Sequence, residues 1–311
     1  MEHRHLGRSG LQVSVVGLGC NNFGRRIDAV QAKEVVDRAL DLGINFFDTA
    51  NVYGAGQSEE FLGRALEGRR QDVVIATKFG MRMGEKPMES GGSRRHLIAS
   101  VEASLRRLGT DYIDLLQFHT PDSRTPIEET LRALDDLVRE GKVRYIGHSN
   151  FAAWQAAEAH FVARAAGLTP FISAQNEYNL LDRRIERELV PACRAYGVSV
   201  LPYFPLASGF LTGKYRPGEP PPAGTRLAGA GPLAGRVLND RNFNTLQRLE
   251  AIAAARGRSM LELAIGWLAS QPHVASVIAG ATKPGQVEEN IAAAEWSLSP
   301  EELAEVDLAT A

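Results

Sequence analysis

The stretch DAVQAKEVVDRALDLGINFFDTA, residues 28–50, decides the fold. Its first part opens on Asp28, a residue type whose carboxylate caps helix N-termini, and stops at Gly43, a residue type that ends helices. Its second part, INFFDTA (44–50), is an apolar run that halts at a carboxylate, Asp48. A capped helix followed at once by a buried strand is the repeating unit of an α/β fold.

The unit recurs along the chain. Further apolar or β-branched runs are VSVVGLG (13–19), DVVIATK (72–78), YIDLLQFH (112–119), KVRYIGHSN (142–150), FISAQNEY (171–178), VSVLPYFP (198–205) and VASVIAGA (274–281). Most of their starts lie about thirty residues apart, the size of a strand plus a crossover helix. Between them, RRHLIASVEASLRRLG stops at Gly109, and PIEETLRALDDLVREG runs from Pro126 to Gly141, proline entering and glycine leaving a helix. Eight units with no break in composition predict a single (β/α)8 TIM barrel domain over residues 1–311. Two Gly- and Pro-rich segments, 80–93 and 211–236, read as long loops rather than helices. They follow the third and seventh strands, on the face where barrel enzymes keep their sites, and are expected to act as lids.

Composition narrows the function. With 44% hydrophobic and 23% charged residues, the 311-residue chain can fold without staples. A formal net charge of −2 leaves no electrostatic footprint for nucleic acid or an anionic membrane. No segment approaches the roughly 20 apolar residues that span a bilayer. Two distant cysteines, Cys20 and Cys193, fit a reducing cytoplasm better than a disulfide framework. A cytoplasmic protein is expected.

Polar residues at the C-terminal ends of the strands carry the chemistry. They are Asp48 with Tyr53 just beyond it, Lys78, His119, Ser149 with Asn150, and Gln175. Singly, each has an ordinary reading: a turn cap, a surface lysine, a core histidine. Asp48, Tyr53, Lys78 and His119 together, at one end of three adjacent strands, form a set suited to moving a proton. A free phenol titrates at about 10, and a neighbouring ammonium lowers that value. Lys78 can supply the charge, Asp48 can hold Lys78, and His119 can hydrogen-bond a carbonyl. No nucleophile stands beside a base, so acyl transfer is the less natural chemistry.

Carbonyl reduction also needs a hydride source. GLGCNNFG (17–24) is not a dinucleotide fingerprint, because Asn22 occupies the third glycine position. Candidates for another mode of binding are the polar groups of Ser149, Asn150 and Gln175 for a carboxamide. Tyr203 offers a stacking surface, and Thr282 and Lys283 precede a helix that can take a phosphate. The histidines of HRH (3–5) have ligand-like spacing but precede the first long strand. A metal-dependent hydrolase is therefore disfavoured, and no metal is expected.

These residues resemble the aldo-keto reductase family along nearly the whole chain. The segments are GLGCNNFG, NFFDTANVYG, ATKFG, IDLLQFHTPD, LVREGKVRYIGHSNF, AQNEYNLLDR, YFPLASGFLTGKY and GATKPGQVEENIAA. The resemblance implies a barrel that binds NAD(P)H without a Rossmann domain and reduces small-molecule aldehydes or ketones reversibly. Tyr53 would be the general acid, with Asp48, Lys78 and His119 completing a tetrad. Ser149, Asn150 and Gln175 would hold the nicotinamide carboxamide, and Tyr203 would stack on its ring. Gly19 and Cys20 would lie nearby. Leu206, Ser208, Gly209 and Leu211 match a loop along the pyrophosphate. Gly280, Thr282, Lys283, Gln286, Glu289 and Asn290 match the adenosine pocket. Many members carry an arginine for the 2′-phosphate where Gln286 stands, which weakens an NADP(H) assignment without removing it, because Thr282 and Lys283 remain. NADP(H) is favoured since most relatives prefer it, and NAD(H) stays possible. His148, where smaller residues are usual, is expected to pack. An open, shallow pocket walled by the two long loops, Phe23 and Phe79 is expected. The alternative function is a cofactor-binding regulatory subunit, like the family's potassium-channel-associated members.

Overall fold

A computed structural model describes residues 1–228 and 231–311; positions 229 and 230, within the 211–236 segment, lie outside the described residues. Strands β1 (His3–His5) and β2 (Gln12–Ser14) form an antiparallel hairpin. Eight parallel strands follow: β3 (Val16–Gly19), β4 (Phe46–Asp48), β5 (Val74–Phe79), β6 (Ile113–Phe118), β7 (Val143–Ser149), β8 (Ser173–Glu177), β9 (Ser199–Tyr203) and β10 (Val277–Gly280). They pair in the order β10-β3-β4-β5-β6-β7-β8-β9. A parallel bridge between Val200 and Val274 joins the two ends of the sheet. The fold is the (β/α)8 barrel expected from the repeating units.

The 28–50 segment folds as its residues dictate. Asp28 accepts from the Gln31 amide at 2.9 Å, and the Gln31 side chain accepts from the Asp28 amide at 3.2 Å. This reciprocal box starts α1 (Ala29–Asp41). Gly43 then adopts φ 83°, a left-handed conformation that turns the chain into β4. Helices α2 (Gln57–Ala65), α3 (Arg94–Leu108), α4 (Ile127–Arg139), α5 (Ala153–Ala166) and α6 (Leu189–Tyr196) follow strands β4 to β8 in turn. After β9 come α7 (Pro232–Val237), α8 (Asp240–Ala254) and α9 (Met260–Ala269), and α10 (Pro284–Ala293) and α11 (Pro300–Thr310) close the described chain.

Two expectations need correction. The 13–19 run is not one strand: it breaks at Val15 into the end of the hairpin and the first barrel strand. The 211–236 segment is not loop throughout. It starts inside a 3-10 turn (Ala207–Thr212), and α7 begins at Pro232, in the first turn of a helix, where a missing N–H costs nothing. The 80–93 segment has no regular structure, as expected.

The hairpin determines which end of the barrel is open. Leu6 and Val13 pack with Phe46, Val74, Leu115, Ile172 and Ala275, residues in the first halves of their strands or within two positions before them. That cluster fills the N-terminal end, and His3 and His5 sit on the same hairpin, away from the strand C-termini. Among the described residues, no helix is long and apolar enough to cross a membrane.

Candidate active site

Asp48 ends β4 and Lys78 is the penultimate residue of β5, on neighbouring strands whose side chains meet inside the barrel. Lys78 Nζ donates to Asp48 Oδ2 at 2.7 Å and to the Thr49 carbonyl at 2.8 Å. The other carboxylate oxygen, Oδ1, accepts from Gln175 Nε2 at 2.8 Å and Gln117 Nε2 at 3.1 Å. Asp48 is 3% exposed and Lys78 1%. A buried ion pair is costly to desolvate, so it persists only with such partners on each remaining polar atom. Burial pushes the Lys78 ammonium down, but the attraction of Asp48 and then Tyr53 outweighs it and raises its pKa. Lys78 is therefore a fixed positive charge.

Tyr53 starts a 3-10 turn (Tyr53–Gly56) that runs straight into α2. That helix is pinned from below: Ser58 Oγ donates to the Cys20 carbonyl, and Glu59 takes Thr77 Oγ1 at 2.6 Å and Arg107 Nε at 2.7 Å. The Tyr53 ring has the Lys78 ammonium 5.1 Å from its centroid and meets the His119 ring edge-on at 5.8 Å. The structure thus brings all four expected residues together. One electrostatic expectation is reversed. Burial raises the phenol pKa above its ordinary value, and the charge of Lys78 offsets this only in part. Tyr53 is therefore held protonated. His119 is lowered to about 3, by burial first and by Lys78 second, so it is neutral at physiological pH.

A cleft of about 640 Å³ opens from this floor. Asp48, Tyr53, His119, Ser149, Asn150, Gln175 and Tyr203 line one end, and Gly280, Thr282, Lys283, Gln286, Glu289 and Asn290 the other. Gly19, Leu206, Ser208 and Gly209 lie along it. Cys20 and Leu211 do not: both are fully buried, and Cys20 contributes its backbone amide to the Asp48 carbonyl. Phe23 and Phe79 are likewise in the core, Phe79 stacked on Phe118, and neither walls the cleft. The cleft is also deeper than the shallow pocket expected, reaching the buried carboxylate of Asp48. His148 faces Phe151 and Phe171, at 4.7 and 5.3 Å between rings, which makes it a packing residue.

Several lining groups escaped the sequence reading. Arg25, Arg26, Lys214 and Arg226 join Lys283 to give the cleft a cationic wall. Arg226 donates to Asn21 and Asn22 Oδ1 at 3.3 Å, and Arg26 donates to the Gly224 carbonyl at 2.7 Å. These contacts tie the 211–236 segment across to the turn after β3. An arginine in a Gly/Pro-rich loop reads as a solvated surface charge, so nothing local marks it. Backbone strain does mark the site: Asn150, Phe204, Ala207 and Ser208 have positive φ, four of the five such non-glycine residues among those described. Asn150 is locked further, its Oδ1 accepting from Tyr203 OH at 2.8 Å and its Nδ2 donating to the His119 carbonyl at 2.9 Å.

Comparison with known proteins agrees with this geometry. A family model described as "Aldo/keto reductase family" matches residues 15–310. The chain is 42% identical over 300 residues to a rice (Oryza sativa subsp. japonica) protein named probable voltage-gated potassium channel subunit beta, covering 94% of this chain and 91% of that one. It is 37% identical over 322 residues to the L-glyceraldehyde 3-phosphate reductase of Escherichia coli K12, covering 99% and 92%. It is also 37% identical over 329 residues to the versiconal hemiacetal acetate reductase of Aspergillus parasiticus, covering 97% and 95%. With the barrel, the buried Asp48–Lys78 pair facing Tyr53 and a match over almost its full length, the chain belongs to the aldo/keto reductase family.

Proposed function

We propose that the protein reduces aldehyde or ketone carbonyls to alcohols, reversibly, with NADP(H). The observation that carries the reading is a protonated Tyr53 held beside a permanent Lys78 charge and a neutral His119, at the floor of a cleft whose walls turn cationic. When bound, the nicotinamide supplies the hydride that attacks the carbonyl carbon. Tyr53 delivers the proton to the carbonyl oxygen, and Lys78 stabilises the phenolate left behind. His119 orients that oxygen and, being neutral, does not compete as a charge. Asp48 keeps Lys78 in register. Running backwards, the phenolate takes the alcohol proton.

The residues present suit the cofactor's chemistry. Asn150 is already committed, so Ser149 Oγ and the Gln175 carbonyl are the groups left to hold a carboxamide, with Tyr203 flanking the ring. Arg25, Arg26, Lys214, Arg226 and Lys283 suit phosphates, and five cations favour the extra phosphate of NADP(H) over NAD(H). Gln286 accepts from Thr282 N at 2.8 Å and Thr282 Oγ1 at 3.1 Å, shaping the end of that wall. We also place the protein in the cytoplasm, since Cys20 and Cys193 are both free and buried.

A second reading, a cofactor-binding regulatory subunit, draws support from the similarity to the rice protein. One experiment separates the two. Purified protein is titrated with NADPH and NADH, then assayed on short aldehydes, aromatic aldehydes, dicarbonyls and sugars. Turnover that Tyr53→Phe abolishes while NADPH affinity stays within about threefold supports the reductase. Tight NADPH binding with no turnover on any carbonyl favours the regulatory subunit.

A further inference from the structure

Gln117 is a polar residue where the barrel calls for an apolar one. It sits in β6 between Leu116 and Phe118, and its side chain is fully buried. Its register partners are Lys78 on β5 and Gly147 on β7. Gly147 lets the strand pack closely beside it: a Cβ there would clash with Ser173 Oγ at 2.1 Å and make only ordinary contact with Gln117 Cγ at 3.4 Å. Burying an amide is costly unless it is hydrogen-bonded. Only half of this one is satisfied, since Nε2 donates to Asp48 Oδ1 at 3.1 Å while the buried Oε1 has no partner among the described residues. The orientation is chemically forced, because a carboxylate only accepts and must be met by the NH2. The residue therefore gives up one hydrogen bond to place the other on Asp48.

Asp48 Oδ1 already has a shorter donor in Gln175 Nε2, at 2.8 Å. The two amides are not equivalent. Gln175 lines the cleft, whereas Gln117 lies behind the floor. We propose that Gln117 is a positioning residue for proton delivery. It keeps Asp48 Oδ1 occupied so that Gln175 can turn to the cofactor without Asp48, and with it Lys78, shifting beneath Tyr53. The inference rests on the reductase reading above. The titratable groups around this carboxylate are Lys78 from β5, Tyr53 from the turn after β4, Cys20 from the turn after β3, and His119 at the end of β6. His148, in register with Phe118, stacks on Phe151 and meets Phe171 edge-on instead.

Two substitutions test it, each checked for folding by its melting temperature. Gln117→Leu keeps the size and removes the donor. Its expected effects are a kcat about ten- to a hundredfold lower, the weight of a charge-assisted hydrogen bond, with the carbonyl KM unchanged. NADPH affinity also falls, and losing Gln175 (Gln175→Leu) costs less affinity in the Gln117→Leu background than in the wild type. Gln117→Glu carries the sharper signature. Protonated, the introduced carboxyl donates to Asp48 as the amide does; ionised, it repels Asp48. Its kcat is expected to approach wild type near pH 5 and to fall as pH rises, over a range where the wild-type profile is flat. A residue with only a structural role would lower the melting temperature of both variants and leave the pH profile and the additivity of affinities unchanged. That outcome overturns the proposal. If Tyr53→Phe fails to reduce turnover, the reductase reading itself falls; if it abolishes turnover but the Gln117 variants behave as structural, only the role of Gln117 falls.

Discussion

Tyr53 lies under two opposing influences, and their balance makes a pH prediction. Burial raises its pKa above the usual 10, Lys78 pulls it down, and Asp48 pushes it up again. Reduction requires the protonated phenol, so kcat is expected to be level from about pH 6 to 9 and to fall only as pH rises through the pKa of Tyr53. His119, at about 3, adds no ionisation in that window. Replacing Lys78 by methionine removes the downward influence, so the alkaline limb moves to higher pH while kcat drops roughly 10²- to 10⁴-fold. Initial rates of carbonyl reduction against pH decide it; a limb that moves to lower pH would show that Lys78 does not set the phenol. The four candidate side chains were legible because Asp48, Lys78 and His119 are polar interruptions at the ends of apolar runs and Tyr53 stands in the turn just beyond Asp48. Gln117 was not, because it is embedded within such a run, and a single buried amide carries no signal until its partner is known. Arg226 was missed for the opposite reason: it stands among turn residues and looks like solvent-facing charge.

At the scale of elements, the aim of Tyr53 depends on α2, and α2 depends on how closely it meets α3. A Cβ on Gly63 would fall 2.5 Å from the Leu108 carbonyl oxygen and 2.9 Å from Leu108 Cα, both backbone atoms that cannot swing aside. Gly63→Ala must therefore separate the two helices, and about 1–3 kcal/mol of destabilisation is expected. Gly10→Ala is the matched control, since nothing lies within 4 Å of its added methyl, and it should be close to neutral. Urea unfolding of both variants measures the difference; equal midpoints would mean the helices are not in close contact. The helices were readable where caps and stops agree with amphipathic spacing, as at 28–43, 94–109 and 126–141. The 13–19 run misled because Ser14 turns its hydroxyl to the Val16 carbonyl at 2.7 Å, ending one strand without any glycine or proline to announce it. The helix at Pro232–Val237 misled because its proline and glycine punctuate loops as often as they start or end helices.

For the molecule as a whole, the barrel's buried histidines predict its response to acid. His119, His148 and His273 are each buried, and their pKa values are lowered to about 3, about 3 and about 4. Burial is the main cause in each, with Lys78 assisting at His119 and Arg194 at His273. In the unfolded chain they titrate at about 6.5. Below that pH the unfolded state binds protons that the native state refuses, so stability falls as pH falls, from about 6.5 down towards the native values. Each histidine contributes a slope of up to about 1.4 kcal/mol per pH unit in that window. Carboxylates held low by partners, such as Asp122 and Asp182, act in the same direction but only below the ordinary carboxylate range near 4. Between about pH 6 and 5 the histidines therefore dominate. His148 is the one to remove, because it takes no part in the cleft and already packs among phenylalanines. His96 is also buried and lowered, mainly by burial, so His148→Phe is expected to reduce the pH dependence of unfolding free energy in that interval by about a quarter to a third, while leaving carbonyl reduction at pH 7 unchanged. Denaturant midpoints at pH 7.5, 6 and 5 for both proteins provide the test, and parallel pH dependences would show that His148 is not neutral in the folded barrel.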